Sequence, residues 1–315
     1  MRGRAFGTMG VCEKVAGTLA AASAVYFDNW QYPYYVLGMF SIVMAGVVWK
    51  RLDMREILTA DRTGEGKKIF DPPPEMTMRE IVQRIVRIPA FVWLVAQGIF
   101  GGTPWDMMSF VVLLLDWRGY TRPQIVTLQF TVGISGTLGS WLGGALGDAA
   151  AVRWRHRGRI YVALAGVALH VPTYGLFLYA PTFYWALLWH NLFYLTGTWS
   201  QAAAIRPLCA EMAQNTSERA QIVAMWMLAE KTAGAIFGAP LVGYLTAGMI
   251  AGAEAEGPSI GKAQSLAYSL FSLSALFWGI SGACWTTMAF TFQMPPQQDT
   301  NTHDQDEELA RVKLL

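Results

Sequence analysis

IYVALAGVALHVPTYGLFLYAPTFYWALLWHNLFYLTGTWSQAAAI, residues Ile160 to Ile205, contains no Asp, Glu, Lys or Arg. One membrane-crossing helix needs roughly 20 such residues, so the stretch is long enough for two. Ala180-Pro181 divides it. Proline cannot continue a helix without losing a backbone hydrogen bond, so the reading is a tight hairpin of two membrane helices.

The same pattern recurs outward from this hairpin. No charged residue occurs from Gln124 to Gly147 or from Ala263 to Gln298. Over the whole chain 53% of residues are hydrophobic and 15% charged, against about 25% charged in a soluble domain. The expectation is an all-α integral membrane protein of about eight transmembrane helices. The spans are read at 5–27, 30–49, 88–115, 123–146, two within 160–205, 220–250 and 265–292. The third is expected to break near Gly101-Gly102-Thr103-Pro104. The polar stretch 50–74, with Pro72-Pro73-Pro74, reads as a linker. Thr77-Met78-Arg79-Glu80 has a capping-box pattern and opens a short amphipathic helix suited to the membrane surface. Residues 251–263 read as a Gly-rich loop and the acidic tail after Pro295 as unstructured.

Basic residues set the expected orientation. Arg2 and Arg4, the linker cations from Lys50 to Arg87, and the run Arg153, Arg155, Arg157 and Arg159 fall on one side if there are eight spans. That side is read as cytoplasmic, and both termini with it. The sequon Asn215-Thr216-Ser217 then faces the cytoplasm and is expected to stay unmodified. Arg2 and Arg4 lead into an apolar stretch lacking a small-residue cleavage site, so no cleaved leader is expected. Cys12, Cys209 and Cys284 are far apart and form no metal or redox spacing. No metal, cofactor or nucleic acid is expected.

Glu13-Lys14-Val15-Ala16-Gly17 and Glu230-Lys231-Thr232-Ala233-Gly234 repeat a charged pair inside apolar segments, with Arg2 and Arg219 preceding the two copies at equal spacing. Two repeated bundles are a common transporter plan. Here the sequence resembles the major facilitator superfamily, with six helices, a long linker and six more. Arg2-Gly3-Arg4-Ala5-Phe6-Gly7 is similar to the entry into that family's fifth helix. Gly144-Ala145-Leu146-Gly147-Asp148 followed by Arg153, Arg155, Arg157 and Gly158-Arg159 resembles its loop signature, the first Arg standing slightly further from Asp148. Ala239-Pro240-Leu241-Val242-Gly243 fits its eleventh helix. Arg87-Ile88-Pro89, Ala96-Gln97-Gly98 and Thr103-Pro104-Trp105 resemble the spinster-like branch. That branch includes carriers of sphingolipids and lysolipids, some coupled to protons. The resemblance implies the last two helices of an amino-terminal bundle (1–50), a cytoplasmic linker with its amphipathic helix (51–87), a complete six-helix carboxy-terminal bundle (88–294) and a cytoplasmic acidic tail (295–315). The first four helices of the family pattern are then lacking.

Charges inside a bilayer cost several kcal/mol unless paired or hydrated. Glu13 and Glu230, with Lys14 and Lys231, are candidates for substrate contact or ion coupling, because a carboxylate there can take up a proton. The alternative is a structural pair that neutralises itself. Adjacent helix residues point about 100° apart, however, so each Glu is expected to seek a partner across the bundle. Asp106, beside the glycine pair, either lines a cavity or sits near the outer surface. Arg206, beside Pro207, either meets an anionic headgroup or snorkels to the interface. The resemblance implies a conformational latch built from Gly144, Asp148, Arg153 and Arg157, and a plain positive-inside loop is the alternative. His170 and His190 read as core histidines rather than proton relays. Gly133, Gly136, Gly139, Gly143 and Gly147 read as helix-packing positions.

The leading function is secondary active transport of a small organic or amphiphilic solute, lysolipid-like or sphingolipid-like on the resemblance, by alternating access and with proton coupling in view. Its partners are membrane lipids, the solute and protons, and the oligomeric state is left open. The runner-up is a transport-inactive fragment or a membrane subunit that needs a partner. A seven-helix receptor fits the even span count poorly. A membrane enzyme finds no H-E-x-x-H or G-x-S-x-G motif.

Overall fold

The structure is a computed structural model that describes residues 31–51, 78–213, 216–256 and 261–291. Among these residues it is helical throughout. Helix α1 spans Gln31–Arg51, α2 Met78–Val86, α3 Pro89–Met107, α4 Val111–Trp117, α5 Arg122–Trp154 and α6 His156–Leu178. Helix α7 spans Phe183–Gly197, α8 Arg206–Met212, α9 Thr216–Ala233, α10 Ala239–Glu256 and α11 Lys262–Thr291. Five rods among the described residues are long and apolar enough to cross a membrane: Pro89–Trp117, Arg122–Trp154, Arg157–Leu178, Arg219–Gly252 and Lys262–Thr291. The chain is a multi-pass membrane protein. Segment 5–27, the linker from 52 to 77 and the tail lie outside the described residues, as do Cys12, Asn215 and the sequon reading.

Exposed apolar side chains cover the outside of the described helices. Ile42 in α1, Trp141 in α5, Leu188 in α7 and Tyr244 in α10 all point outward. With lipid as the surrounding solvent there is no hydrophobic penalty for this, and helices associate through close packing and polar contacts instead. Helix α5 shows how. Cβ atoms built at Gly139, Gly143 and Gly147 would strike Leu195, Trp199 and Ala203 in turn. One turn earlier the Ser135 hydroxyl donates to Asn191 Oδ1 at 2.6 Å. Both numbers rise together along these four rungs, so α5 runs parallel to the rod of α7 and α8. The expected packing role of these glycines is met at all three.

Three boundaries differ from the sequence reading. Helix α3 continues through Gly101-Gly102-Thr103-Pro104, and the break falls one turn later, in a 3₁₀ turn over Met108–Phe110. Pro104 removes only its own N–H, and the Thr103 hydroxyl donates to the Ile99 carbonyl at 2.6 Å within the same turn. Helix α5 extends to Trp154 and α6 opens at His156, so the arginine run is helical apart from Arg155. Ala149-Ala150-Ala151 favours helix strongly enough to carry α5 past Asp148. For the same reason the Ala- and Glu-rich stretch after Ile250 prolongs α10 to Glu256 instead of forming a loop.

Candidate functional site

Helices α3 and α9 meet through glycine. A Cβ at Gly98 would strike the Trp226 indole, one at Gly102 would strike the Glu230 side chain, and one at Gly234 would strike the Asp106 carboxylate. These three rungs share one offset, so α3 and α9 lie parallel and in register. Each large polar or aromatic group packs against a residue without a side chain. The close approach places Glu230 between the helices at 7% exposure.

Lys231 Nζ lies 3.5 Å from Glu230 Oε1 and 3.6 Å from Asp106 Oδ1. Neighbouring Glu230 and Lys231, which point about 100° apart on the helix, meet all the same. The flexible four-carbon lysine stem bends back across the angle between the two positions. The contact across the helix interface is made by Lys231 and not by Glu230, as Lys231 bridges a buried carboxylate on its own helix to one on α3. Asp106 is one-third exposed, with its β-carbon beside Gly238. Gly234–Gly238 forms a π-helical turn, and Gln201–Ile205 forms another. Such turns recur at functional sites; the first packs against Asp106, and Gln201 and Ile205 of the second line the space that Glu230 and Lys231 also border.

That space is a cavity of about 620 Å³, within the usual range for small-molecule sites. Its wall includes Trp105, His170, Trp226, Glu230 and Lys231, with Arg206 and Arg219 in the same lining. His170 sits among aromatic rings, with centroids 5.0 Å from Trp278, 5.7 Å from Phe193 and 5.9 Å from Trp105. His190 stacks flat on Phe177 at 3.9 Å, away from the cavity. Arg206, half-buried, opens α8 directly after the π-helical turn Gln201–Ile205, with Pro207 next in the chain.

The second charged cluster lies where α5 turns into α6. Arg159 Nη2 is 2.9 Å from Asp148 Oδ1, and its Nε is 3.4 Å from Glu211 Oε1 on α8. Its Nη1 also donates to the Ala203 carbonyl at 3.2 Å. Arg153 and Arg157, named from the family pattern, are exposed and take no part in these bonds; Arg153 stands 6.0 Å from the Trp154 ring. The helical continuation explains this. It carries Arg153 and Arg157 round to the outer surface and turns Arg159 inward, where Gly158 packs on the Ala150 backbone. Gly144 is buried on the packing side of α5. Glu211 was missed because no spacing links it to Asp148, and only the rod of α7 and α8 brings it near. Glu13 and Lys14 lie outside the described residues. Cys209 and Cys284 are buried free thiols, and no cluster able to hold a metal occurs among the described residues.

The family model described as Major Facilitator Superfamily matches residues 1–239. A solved structure titled as that of a bacterial homolog to the human lysosomal transporter Spinster, in an inward-facing and unoccupied conformation, resembles this fold with a TM-score of 0.58 at 15% identity. The likeness covers 94% of this chain and 67% of that one. No curated protein matches the chain.

Proposed function

The chain belongs to the major facilitator superfamily, a family of membrane transporters, and from that premise we propose that it moves a small organic or amphiphilic solute by alternating access with proton coupling. One observation carries the reading: a buried carboxylate, Glu230, faces the cavity and is bridged by Lys231 to Asp106 on another helix. A proton or solute that engages Glu230 changes the charge Lys231 must balance. That change reaches both helices at their closest approach, where glycines leave no slack. Arg206 and Arg219 hold positive charge on the same wall. The Arg159 cluster serves as a latch between the α5–α6 hairpin and α8, because it must break if these rods separate. In this reading 88–294 is one six-helix bundle, and both termini are cytoplasmic.

The test is reconstitution in liposomes containing a pH-sensitive dye. Adding lysolipids and sphingoid amphiphiles in turn should produce solute-dependent proton movement. Glu230→Gln should abolish it while membrane insertion stays normal. Unchanged proton and solute movement in Glu230→Gln would overturn the coupling role.

A further inference from the structure

The turn between α5 and α6 presents three cations. Arg153, Arg155 and Arg157 are exposed and form no ion pair among the described residues. Arg155 holds the turn's positive φ of 53°, a conformation that suits glycine, so chain geometry does not call for a side chain there. Helix α11 ends close by. Tyr179 meets Phe271 with ring centroids 5.8 Å apart, His170 meets Trp278 at 5.0 Å, and Val167 lies 3.6 Å from a Cβ built at Gly282. One number rises as the other falls, so α6 and α11 are antiparallel neighbours. The same register carries Thr291, where α11 ends, to the level of Gly158, inside the arginine run.

The sequence beyond α11 is acidic. Residues 299–308 include Asp299, Asp304, Asp306, Glu307 and Glu308, and no Lys or Arg occurs from Ala263 to Ala310. These carboxylates therefore have no cation on the preceding helix to pair with. Asp299 follows Thr291 by eight residues, a reach of at most about 29 Å. Packed helix axes stand about 8–10 Å apart, so the segment can span to the α5–α6 turn. Single exposed ion pairs are weak, but attachment to α11 presents the segment at an effective concentration in the millimolar range. We propose that the acidic segment 299–308 docks on Arg153, Arg155 and Arg157 and straps α11 to the α5–α6 turn. The strap opposes movement of α11 away from the turn that presents Arg159, and high salt releases it. It is independent of what the cavity carries. Arg87 is the rival anchor. Ser281 bonds Gln97 and Ser274 meets Met107, a register that sets exposed Arg87 level with Thr291 as well. It offers one cation where the turn offers three.

The test is pulsed electron paramagnetic resonance on the full chain in nanodiscs of neutral lipid. Nitroxides sit on Val152→Cys, a position 89% exposed, and on Thr300→Cys, in a chain carrying Cys12→Ala, Cys209→Ala and Cys284→Ala. At about 0.1 M salt, where screening sets in near 10 Å, a narrow short-distance population should dominate. At about 1 M salt, with screening near 3 Å, it should fall about threefold or more, the loss of several weak pairs. Arg153→Glu with Arg157→Glu should abolish it. Adding Asp306→Lys, Glu307→Lys and Glu308→Lys to that pair should restore it, which a general loss of fold would not allow. A second readout keeps the native cysteines: carbodiimide should couple Arg157→Lys to a tail carboxylate, located by mass spectrometry. Distances indifferent to salt and to the charge exchange, or coupling at Arg87→Lys with none at Arg157→Lys, would overturn the strap. Loss of the short population in nanodiscs containing an anionic lipid would also overturn it and give the turn to lipid headgroups.

Discussion

Lys231 Nζ stands 3.6 Å from Asp106 Oδ1, so one ammonium group ties α9 to α3 beside a buried glutamate. The lysine is more than half exposed and Glu230 is nearly buried. The cation can therefore leave more easily than the anion, and its departure leaves two carboxylates facing each other.

Lys231→Met should lower thermal stability by about 1 kcal/mol, since an exposed cation contributes little by itself. Combining it with Glu230→Gln should recover most of that loss, because the repelling charge goes with it. A double-mutant cycle on detergent-solubilised protein measures the coupling. Additive losses would show that the two groups do not interact.

Gly102→Ala should drive a methyl group into the Glu230 side chain, and Gly234→Ala should drive one into the Asp106 carboxylate. Each is expected to cost about 1–3 kcal/mol as overpacking. Gly279→Ala, with open space around the built Cβ, should cost little or stabilise slightly. Melting curves of the three variants in one detergent make the comparison.

Arg159→Met should be among the most damaging single changes outside the cavity. It leaves Asp148 and Glu211 without the cation they share, and breaking a buried pair costs about 3–5 kcal/mol. Arg153→Ala and Arg157→Ala should stay within about 0.5 kcal/mol. Equal effects across the three would mean that Arg159 holds no special place. Melting temperature and yield of monodisperse protein report the outcome.

Arg155 is the one described non-glycine residue with positive φ, at φ 53° and ψ −141° between α5 and α6. Side chains rarely adopt that conformation. Arg155→Gly should raise stability by about 1 kcal/mol, read as a higher melting temperature. A lower value would show that the side chain supports the turn by contacts that outweigh the strain.

Much of the rod pattern was legible before any coordinates. The charge-free stretches place the membrane rods, and Ala180-Pro181 marks a true hairpin turn between α6 and α7. Rod ends were less legible, because helix continues wherever propensity allows. On sequence one span ends at 146, just before Asp148, and another at 250, before a Gly-rich stretch read as a loop. At the site, the sequence pointed to Glu230, Lys231 and Asp106 as charges needing a reason. It could not pair Lys231 with Asp106, since residues that distant in sequence meet only when α3 and α9 pack in register. The arginine of the second cluster was displaced for a related reason: a helical turn sends Arg157 outward and Arg159 inward, and the family spacing alone does not show where that turn begins.

The sequence by itself determined the solvent and the repertoire. Long apolar runs without charge must sit in lipid as helices, because every backbone polar group there needs an internal partner. The few charges left among them were bound to matter, because each is costly in that medium. Only the tertiary structure decided which of those charges meet. The outcome depends on how closely the helix axes approach. That approach is set rung by rung by which residue lies opposite each glycine.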